Sequence, residues 1–180
     1  MGVTVLYGGA FDPPHLGHVA VADAARERFG VARLTILVSE RPGHRDVHAP
    51  AQDRLDLARA AFPHDDARLD PYPRTIDLLR AERFEDPVLV LGADQLRDFA
   101  SWKEPEEVLA RARLAVAARP GVELPAGAFD RERVVRLDVE PNAAASREIR
   151  RRVADGEPLD GLVPAAVAAL IAARGLYVRR

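Results

Sequence analysis

The 180-residue chain contains no cysteine, a single lysine and no long apolar run. The absence of cysteine excludes disulfides, thiolate nucleophiles and cysteine-ligated zinc. No stretch approaches the roughly 18 apolar residues that a membrane-spanning helix requires. The first residues, MGVTVLYGG, also lack a basic leader followed by an apolar segment. We therefore expect a cytoplasmic protein without a membrane partner.

The charge balance is close to neutral, with a formal net charge of −2 at pH 7. No overall positive field favours nucleic acid, so we predict no nucleic-acid partner. Because Lys103 is the only lysine, we expect any phosphate-binding cation to be arginine, whose guanidinium suits two-pronged oxygen recognition. The length and a hydrophobic fraction of 48% fit one globular domain, which we expect to cover residues 1–180.

Segments with strand patterns alternate along the chain with segments of helical periodicity. The predicted strands are 3–9, 33–39, 87–94, 112–119 and 133–139, and 67–71 is compatible with a short one. The predicted helices are 15–29, 51–62, 75–84, 104–112, 146–154 and 164–174, with a loop at 121–130. This alternation predicts an α/β fold with a doubly wound parallel sheet and C-terminal helices. Ligands of such sheets bind beyond the carboxyl ends of the strands.

A glycine- and histidine-rich turn, GGAFDPPHLGH, directly follows the first predicted strand. Gly8 and Gly9 allow the backbone to approach a ligand closely, and the helix that follows offers unpaired N–H groups to a phosphate. His15 and His18 are three residues apart in the first helical turn and are expected to share a face. Gly17 keeps the space between them free of a side chain. Imidazoles placed there donate to phosphate oxygens and stabilise charge that develops at phosphorus.

Other interpretations of this turn compete with phosphate binding. A histidine pair at helical spacing is also compatible with a zinc site, to which His44 and His48 would add ligands. A dinucleotide fingerprint requires GxGxxG and a Walker loop requires GxxxxGK followed by serine or threonine. Neither pattern is present in the chain.

The complete motif resembles the (T/H)xGH nucleotidyltransferase superfamily, whose common pattern is GGTFDPxHxGH. Three later segments, TIDLLR, GADQLRDFASWKEPEEVL and SREIRRRV with GLVPAAVAALI, are similar to its nicotinate-nucleotide adenylyltransferase branch. The likeness is collinear over essentially the whole chain. It implies a Rossmann-like fold and transfer of an adenylyl group from ATP to nicotinate mononucleotide, with Mg2+, giving deamido-NAD and pyrophosphate.

The resemblance also implies roles for residues on the ATP side. His15 and His18 would contact the ATP phosphates, His18 would stabilise the transition state, and Arg150 would hold the β and γ phosphates. Gly92 and Asp94 would hold the ribose. The predicted catalytic residues are His15, His18 and Arg150; the predicted ATP-binding residues are Gly8, Gly9, Ala10, Phe11, Gly17, Gly92, Asp94, Ser146 and Arg150. Asp94 is also compatible with a helix cap. A solvated arginine is the alternative interpretation for Arg147, Arg151 and Arg152.

On the acceptor side, the resemblance implies that Trp102 stacks on the pyridine ring and Thr75 helps to bind its carboxylate. Arg45 would approach the acceptor phosphate. An indole face suits a flat pyridinium, although the only tryptophan of the chain is also compatible with a packing role. No residue is assigned as a metal ligand.

The chain departs from the family pattern at three places. Ala10 replaces the usual threonine, which removes a hydroxyl but keeps the backbone N–H. In AASREIR, Ala145 and Arg147 stand where hydroxyl residues are usual and Ser146 is retained. The loop ERPGHRDVHAP is unlike the common NPPHK version. Another acceptor such as nicotinamide mononucleotide, or a nucleotide-binding module without catalysis, therefore stays open.

Overall fold

A six-stranded parallel sheet forms the centre of the computed structural model, which describes residues 2–43, 47–118, 133–140 and 144–179. The strands are β1 (Thr4–Gly9), β2 (Thr35–Ser39), β3 (Asp66–Asp70), β4 (Pro87–Gly92), β5 (Arg113–Ala118) and β6 (Val134–Asp138). Their order is β3-β2-β1-β4-β5-β6, with every neighbouring pair parallel. This Rossmann-like order confirms the predicted doubly wound sheet. The order reverses between β1 and β4, which is where such sheets bind ligands.

Seven helices connect or follow these strands within the described residues. They are α1 (Leu16–Phe29), α2 (Ala51–Ala61), α3 (Thr75–Ala81), α4 (Ala93–Arg97), α5 (Pro105–Arg111), α6 (Ser146–Asp155) and α7 (Ala165–Arg174), with a 3-10 turn at Phe99–Ser101. None of the helices in this part of the chain is long and apolar enough to cross a membrane. All six predicted helices are confirmed, and the predicted loop at 121–130 lies outside the described residues.

Several predicted boundaries were wrong by one to three residues, and the ends of β4 and α3 show this. The strand predicted over 87–94 ends at Gly92, because Gln95 Oε1 accepts a hydrogen bond from the Gly92 N–H at 3.0 Å and α4 starts there. The helix predicted over 75–84 ends at Ala81. Glu82 is extended and its carboxylate accepts two hydrogen bonds from Arg68, at 3.1 and 2.6 Å.

Helices cover both faces of the sheet and create two hydrophobic cores. Alternate side chains of β1 show the division: Val5 and Tyr7 face the core under α1, α2, α6 and α7, whereas Leu6 faces the core under α3 and α5. All three are buried. Burial on both faces explains why the central strands are continuous apolar runs. It also fixes the carboxyl ends of β1 and β4, from which the candidate site is built.

Helix α1 is fixed at both ends. Its C-cap is Gly30, whose φ of 62° lies in the left-handed region that glycine adopts without strain. At its start, the Leu16 N–H donates to the Leu162 carbonyl at 2.9 Å. The first turn of α1, which carries the histidine pair, is thereby attached to the segment that precedes α7.

Candidate active site

Two adjoining cavities lie at the carboxyl ends of β1 and β4. The tryptophan cavity, lined among others by Thr75 and Trp102, has a volume of about 630 Å³. The histidine cavity, lined among others by His18 and Arg150, has a volume of about 480 Å³. The residues that line both are Gly8, Gly9, Ala10 and Gln95. The turn after β1 therefore forms the border between the two cavities.

The two glycines of this turn meet different surroundings. A Cβ atom at Gly8 would find no heavy atom within 4 Å, because Gly8 borders open space in both cavities. A Cβ atom at Gly9 would lie 3.0 Å from the Phe11 ring, which is tighter than most side-chain contacts, so the ring would have to move. Phe11 is buried and packs edge-on against Tyr7 and Phe62. Gly9 thus allows the aromatic packing, while Gly8 leaves room for a ligand.

The structure brings most of the predicted ATP-binding residues together at the histidine cavity. These are Gly8, Gly9, Ala10, Phe11, Gly92, Ser146 and Arg150, and the predicted catalytic residue His18 lines the same cavity. Asp94 lies instead at the tryptophan cavity, in the first turn of α4 and paired with Arg97. His15 and Gly17 are not among the described residues that line either cavity. Their predicted contacts with ATP stay predictions.

His18 is held in one orientation by the backbone. Its Nδ1 accepts a hydrogen bond from the His15 N–H at 3.2 Å, so the neutral ring carries its proton on Nε2. The ring packs against Phe11 and Tyr7, with centroid distances of 5.2 and 6.4 Å. Nε2 is therefore a hydrogen-bond donor on a ring that borders the histidine cavity.

His15 precedes the first residue of α1 and differs from His18 in its surroundings. The two rings lie 3.7 Å apart, which confirms that the pair is adjacent. His15 Nδ1 is buried and has no hydrogen-bond partner among the described residues. Burial lowers the pKa of His15 to about 4, so the ring is neutral at pH 7.

We expect His15 to make the protein less stable in mild acid. The ordinary pKa of 6.5 falls to about 4 on folding, so between these values only the unfolded chain binds the proton. The stability contribution of the neutral ring is complete above about pH 6.5 and is lost as the pH falls toward 4. Urea unfolding at about pH 7.5 and at about pH 5 measures the free energy of unfolding. Between these two pH values, His15→Asn should lose roughly 1–2 kcal/mol less of this free energy than the parent protein. Equal losses would contradict this; His64→Asn, at an exposed histidine, is the control.

Two side chains of helix α6 donate hydrogen bonds to the backbone of residues 8–18, the histidine turn. Ser146 Oγ donates to the Pro13 carbonyl at 2.8 Å, and Arg150 Nη1 donates to the Asp12 carbonyl at 2.6 Å. Ile149 is fully buried, which fixes the rotation of the helix and turns Arg150 toward the histidine cavity. The hydroxyl retained in AASREIR therefore holds the turn. Arg147, one of the departures from the family pattern, lines the same cavity.

Two neighbouring arginines of α6 form ion pairs with carboxylates near the surface. Arg151 pairs with Glu148, Asp155 and Glu157, each at 2.8 Å. Arg152 pairs with Glu148 at 3.0 Å. These two guanidiniums are solvated or paired, whereas Arg150 is only 19% exposed.

The tryptophan cavity combines an indole with basic side chains. Trp102 is half-buried, and its ring lies 5.1 Å from that of the buried Phe99. Thr75 is the first residue of α3 and lines the same cavity. Arg41, Arg74 and Lys103 also line it, and Lys103 is paired with Asp77 at 2.7 Å. Trp102 thus packs against the core, which agrees with the alternative packing role, and it also lines the cavity.

Two predicted or suggested positions lie outside the described residues: Arg45, predicted to approach the acceptor phosphate, and His44, suggested as a zinc ligand. His48 is described, and its backbone N–H donates to Asp12 Oδ2 at 2.7 Å. Within the described parts of the chain, no group of three or more histidines and carboxylates is arranged to hold a metal ion.

Two buried charged residues at this site were not predicted. Asp12 is 4% exposed and Arg54 1% exposed. The Arg54 guanidinium donates to the carbonyl oxygens of Ala10, Ser39, Glu40 and Ala49, at 2.8, 2.7, 3.2 and 3.1 Å. One signal was available: Arg54 stands in the apolar stripe of α2, with the buried Leu57, Ala58 and Ala61. A charged residue in such a stripe indicates a specific set of partners.

Comparisons with known proteins agree with this architecture. The model of the cytidylyltransferase-like family matches residues 6–152. The chain is 36% identical over 196 residues to the "probable nicotinate-nucleotide adenylyltransferase" of Bordetella pertussis, covering 98% of this chain and 100% of the relative. It is 38% identical over 184 residues to the Thermus thermophilus protein of the same name, covering 96% and 97%.

A solved structure shares the fold at low sequence identity. The nicotinic acid mononucleotide adenylyltransferase of Plasmodium falciparum, complexed with NaAD, is similar with a TM-score of 0.78 at 14% identity, covering 98% of both chains. At that identity the likeness concerns the fold alone. The family match and the two relatives show that the chain belongs to the cytidylyltransferase-like family of nucleotidyltransferases, in its nicotinate-nucleotide adenylyltransferase branch.

Proposed function

We propose that this protein transfers the adenylyl group of ATP to nicotinate mononucleotide, producing deamido-NAD and pyrophosphate for NAD biosynthesis. The observation that carries the proposal is the pair of cavities that meet at the turn after β1. One offers His18 and Arg150, which suit a polyphosphate; the other offers Trp102 and Thr75, which suit an aromatic acid. The names of the curated relatives support the same reaction.

ATP is placed with its triphosphate in the histidine cavity. The Nε2–H of His18 and the guanidiniums of Arg147 and Arg150 supply donors to the phosphate oxygens. Gly92, at the histidine cavity, and Asp94, at the edge of the adjoining tryptophan cavity, hold the ribose where the two cavities meet. Arg147 adds a positive charge that favours the triphosphate over less charged tails.

The acceptor is placed with its pyridine ring in the tryptophan cavity. Stacking and cation–π attraction between the ring and Trp102 are worth about 1–2 kcal/mol. Thr75 binds the ring carboxylate, and the positive side chains of Arg41 and Arg74 favour an acidic ring substituent over a neutral amide. Arg45, which lies outside the described residues, is proposed for the acceptor phosphate on the family resemblance alone.

The reaction is a direct in-line displacement. An oxygen of the acceptor phosphate forms a bond to the α phosphorus of ATP while the bond to the bridging oxygen breaks, and pyrophosphate leaves with that electron pair. A phosphate monoester at pH 7 is already a nucleophile, so no general base is required. His18 stabilises the charge that builds up at the α phosphate, and Arg150 stabilises the leaving pyrophosphate.

Magnesium is proposed to arrive with ATP, whose phosphate oxygens are the hard ligands it prefers. Asp12 is the one carboxylate among the described residues of the histidine cavity, and it already accepts three hydrogen bonds. The residues present do not fit a protein-ligated metal site, and no step is assigned to one. We further propose that one domain over residues 1–180 does this chemistry in the cytoplasm, without nucleic-acid or membrane partners.

An acceptor panel tests the proposed function. The protein is incubated with Mg-ATP and either nicotinate or nicotinamide mononucleotide, and pyrophosphate release is measured. We expect nicotinate mononucleotide to be preferred by at least about tenfold in kcat/KM, because losing the charged carboxylate costs about 1.4 kcal/mol or more. Preference for the amide would contradict the acceptor assignment. ATP binding without release for any acceptor would indicate a non-catalytic module.

A further inference from the structure

Tyr177, three residues beyond the end of α7, reaches back to the histidine turn. Its hydroxyl donates to Asp12 Oδ1 at 2.8 Å, across 165 residues of sequence. Tyr177 has a φ of 64°, in the left-handed region that costs a side-chain-bearing residue roughly 1–2 kcal/mol. Its ring packs against the core under α1 and α2. The chain therefore adopts an unfavourable backbone conformation that directs this hydroxyl to Asp12.

The Asp12 carboxylate is buried and depends on its donors. Besides Tyr177, it accepts hydrogen bonds from the backbone N–H groups of His48 and Ala49, at 2.7 and 3.1 Å. It is 4% exposed, so water does not readily replace a lost donor. Burial and the negative charge of Asp12 raise the pKa of Tyr177, which keeps the hydroxyl protonated as a donor.

Arg150 lies close enough to Asp12 to respond when the Asp12 carboxylate loses a hydrogen-bond donor. Its Nη1 donates to the Asp12 carbonyl at 2.6 Å and lies 3.9 Å from Oδ2 of the same residue. The His48 ring also faces this carboxylate, with Nδ1 3.6 Å from Oδ2. An under-satisfied Asp12 carboxylate would attract the Arg150 guanidinium, which carries a permanent positive charge on a flexible side chain. Arg150 would then turn away from the histidine cavity and toward Asp12.

We propose that Tyr177 is a positioning residue for ATP: by satisfying Asp12, its hydroxyl keeps Arg150 directed at the triphosphate. This rests on the proposed function for the role of Arg150. The segment after α7 thereby becomes part of the substrate-binding apparatus, although it lies far from the sequence motif. Tyr177 is not among the described residues that line either cavity, so its role is positioning and not catalysis.

Tyr177→Phe tests this proposal, since it removes one hydroxyl and keeps the ring. Calorimetric titration of the full chain with Mg-ATP, without acceptor, should show a roughly tenfold weaker Kd. KM for ATP should rise by a similar factor, while KM for nicotinate mononucleotide changes less than twofold. Val178→Ala, at an exposed neighbour, is the matched control and should bind ATP like the parent protein. An unchanged Kd, or equal losses for both substrates, overturns the proposal.

A double-mutant cycle separates positioning from general destabilisation. Asp12→Asn removes the charge that competes for Arg150, so Tyr177→Phe should have little further effect on ATP affinity in that background. If the tenfold loss persists there, the hydroxyl does not act through Asp12 and the proposal is wrong. ATP binding is measured without acceptor, so failure of nicotinate mononucleotide to react would count against the proposed function alone.

Discussion

Replacing His18 by alanine is expected to lower kcat for adenylyl transfer by a factor of about 10²–10³. The His15 N–H fixes the His18 ring through Nδ1, so the Nε2–H is oriented before substrate arrives. A donor that is already in position stabilises developing charge without reorganising during the reaction. Because the charge grows mainly in the transition state, the Kd for ATP should change much less than kcat.

Single-turnover measurement of pyrophosphate release at saturating ATP tests this prediction. His18→Gln keeps an amide donor near the Nε2 position and should recover part of the lost rate. His64→Ala, at an exposed histidine remote from the cavity lining, controls for the loss of an imidazole. Full turnover by His18→Ala would remove the residue from the proposed role. A matched loss of ATP affinity would indicate a contact made equally in the ground state.

The regular elements were predictable because their signals are local. β1 and β4 are buried on both faces, so each appears in the sequence as a continuous apolar run ended by glycine. α4 was missed because it has only five residues and starts inside the apparent strand end. Its start depends on the Gln95 side chain reaching the Gly92 N–H, a contact that periodicity does not reveal.

The candidate site was predictable where one short motif contains its residues. The histidine turn lies within eleven consecutive residues, and the family resemblance added the distant Arg150. The hydrogen bonds that hold Asp12 in that turn were not predictable, because they join residues far apart in the sequence. Arg150 and Asp12 are separated by 138 positions, and Tyr177 and Asp12 by 165. A tyrosine near the chain end carries no local sign of such a partner. Tertiary packing alone brings these groups together.

Replacing Arg54 by methionine is expected to lower the free energy of unfolding by about 3–5 kcal/mol. Methionine fills a similar volume but leaves four backbone carbonyl groups, one buried and three partly buried, without the donor that now binds them. It also removes a positive charge that lies near the buried Asp12 carboxylate. The carbonyls belong to the ends of β1 and β2 and to the segment before α2. Because Ala10 lines both cavities and Ser39 lines the tryptophan cavity, losing these hydrogen bonds destabilises the backbone around both cavities.

The same helix supplies the control for this substitution. Arg59 is 57% exposed and makes a 3.4 Å ion pair with Asp56, so Arg59→Met should cost less than about 0.5 kcal/mol. Urea unfolding of both variants, followed by circular dichroism, measures the difference. A cost below about 1 kcal/mol for Arg54→Met would mean that water or a rearranged backbone satisfies the freed carbonyls. The turn that carries Ala10 would then be held in place by α6 and Asp12 without help from α2.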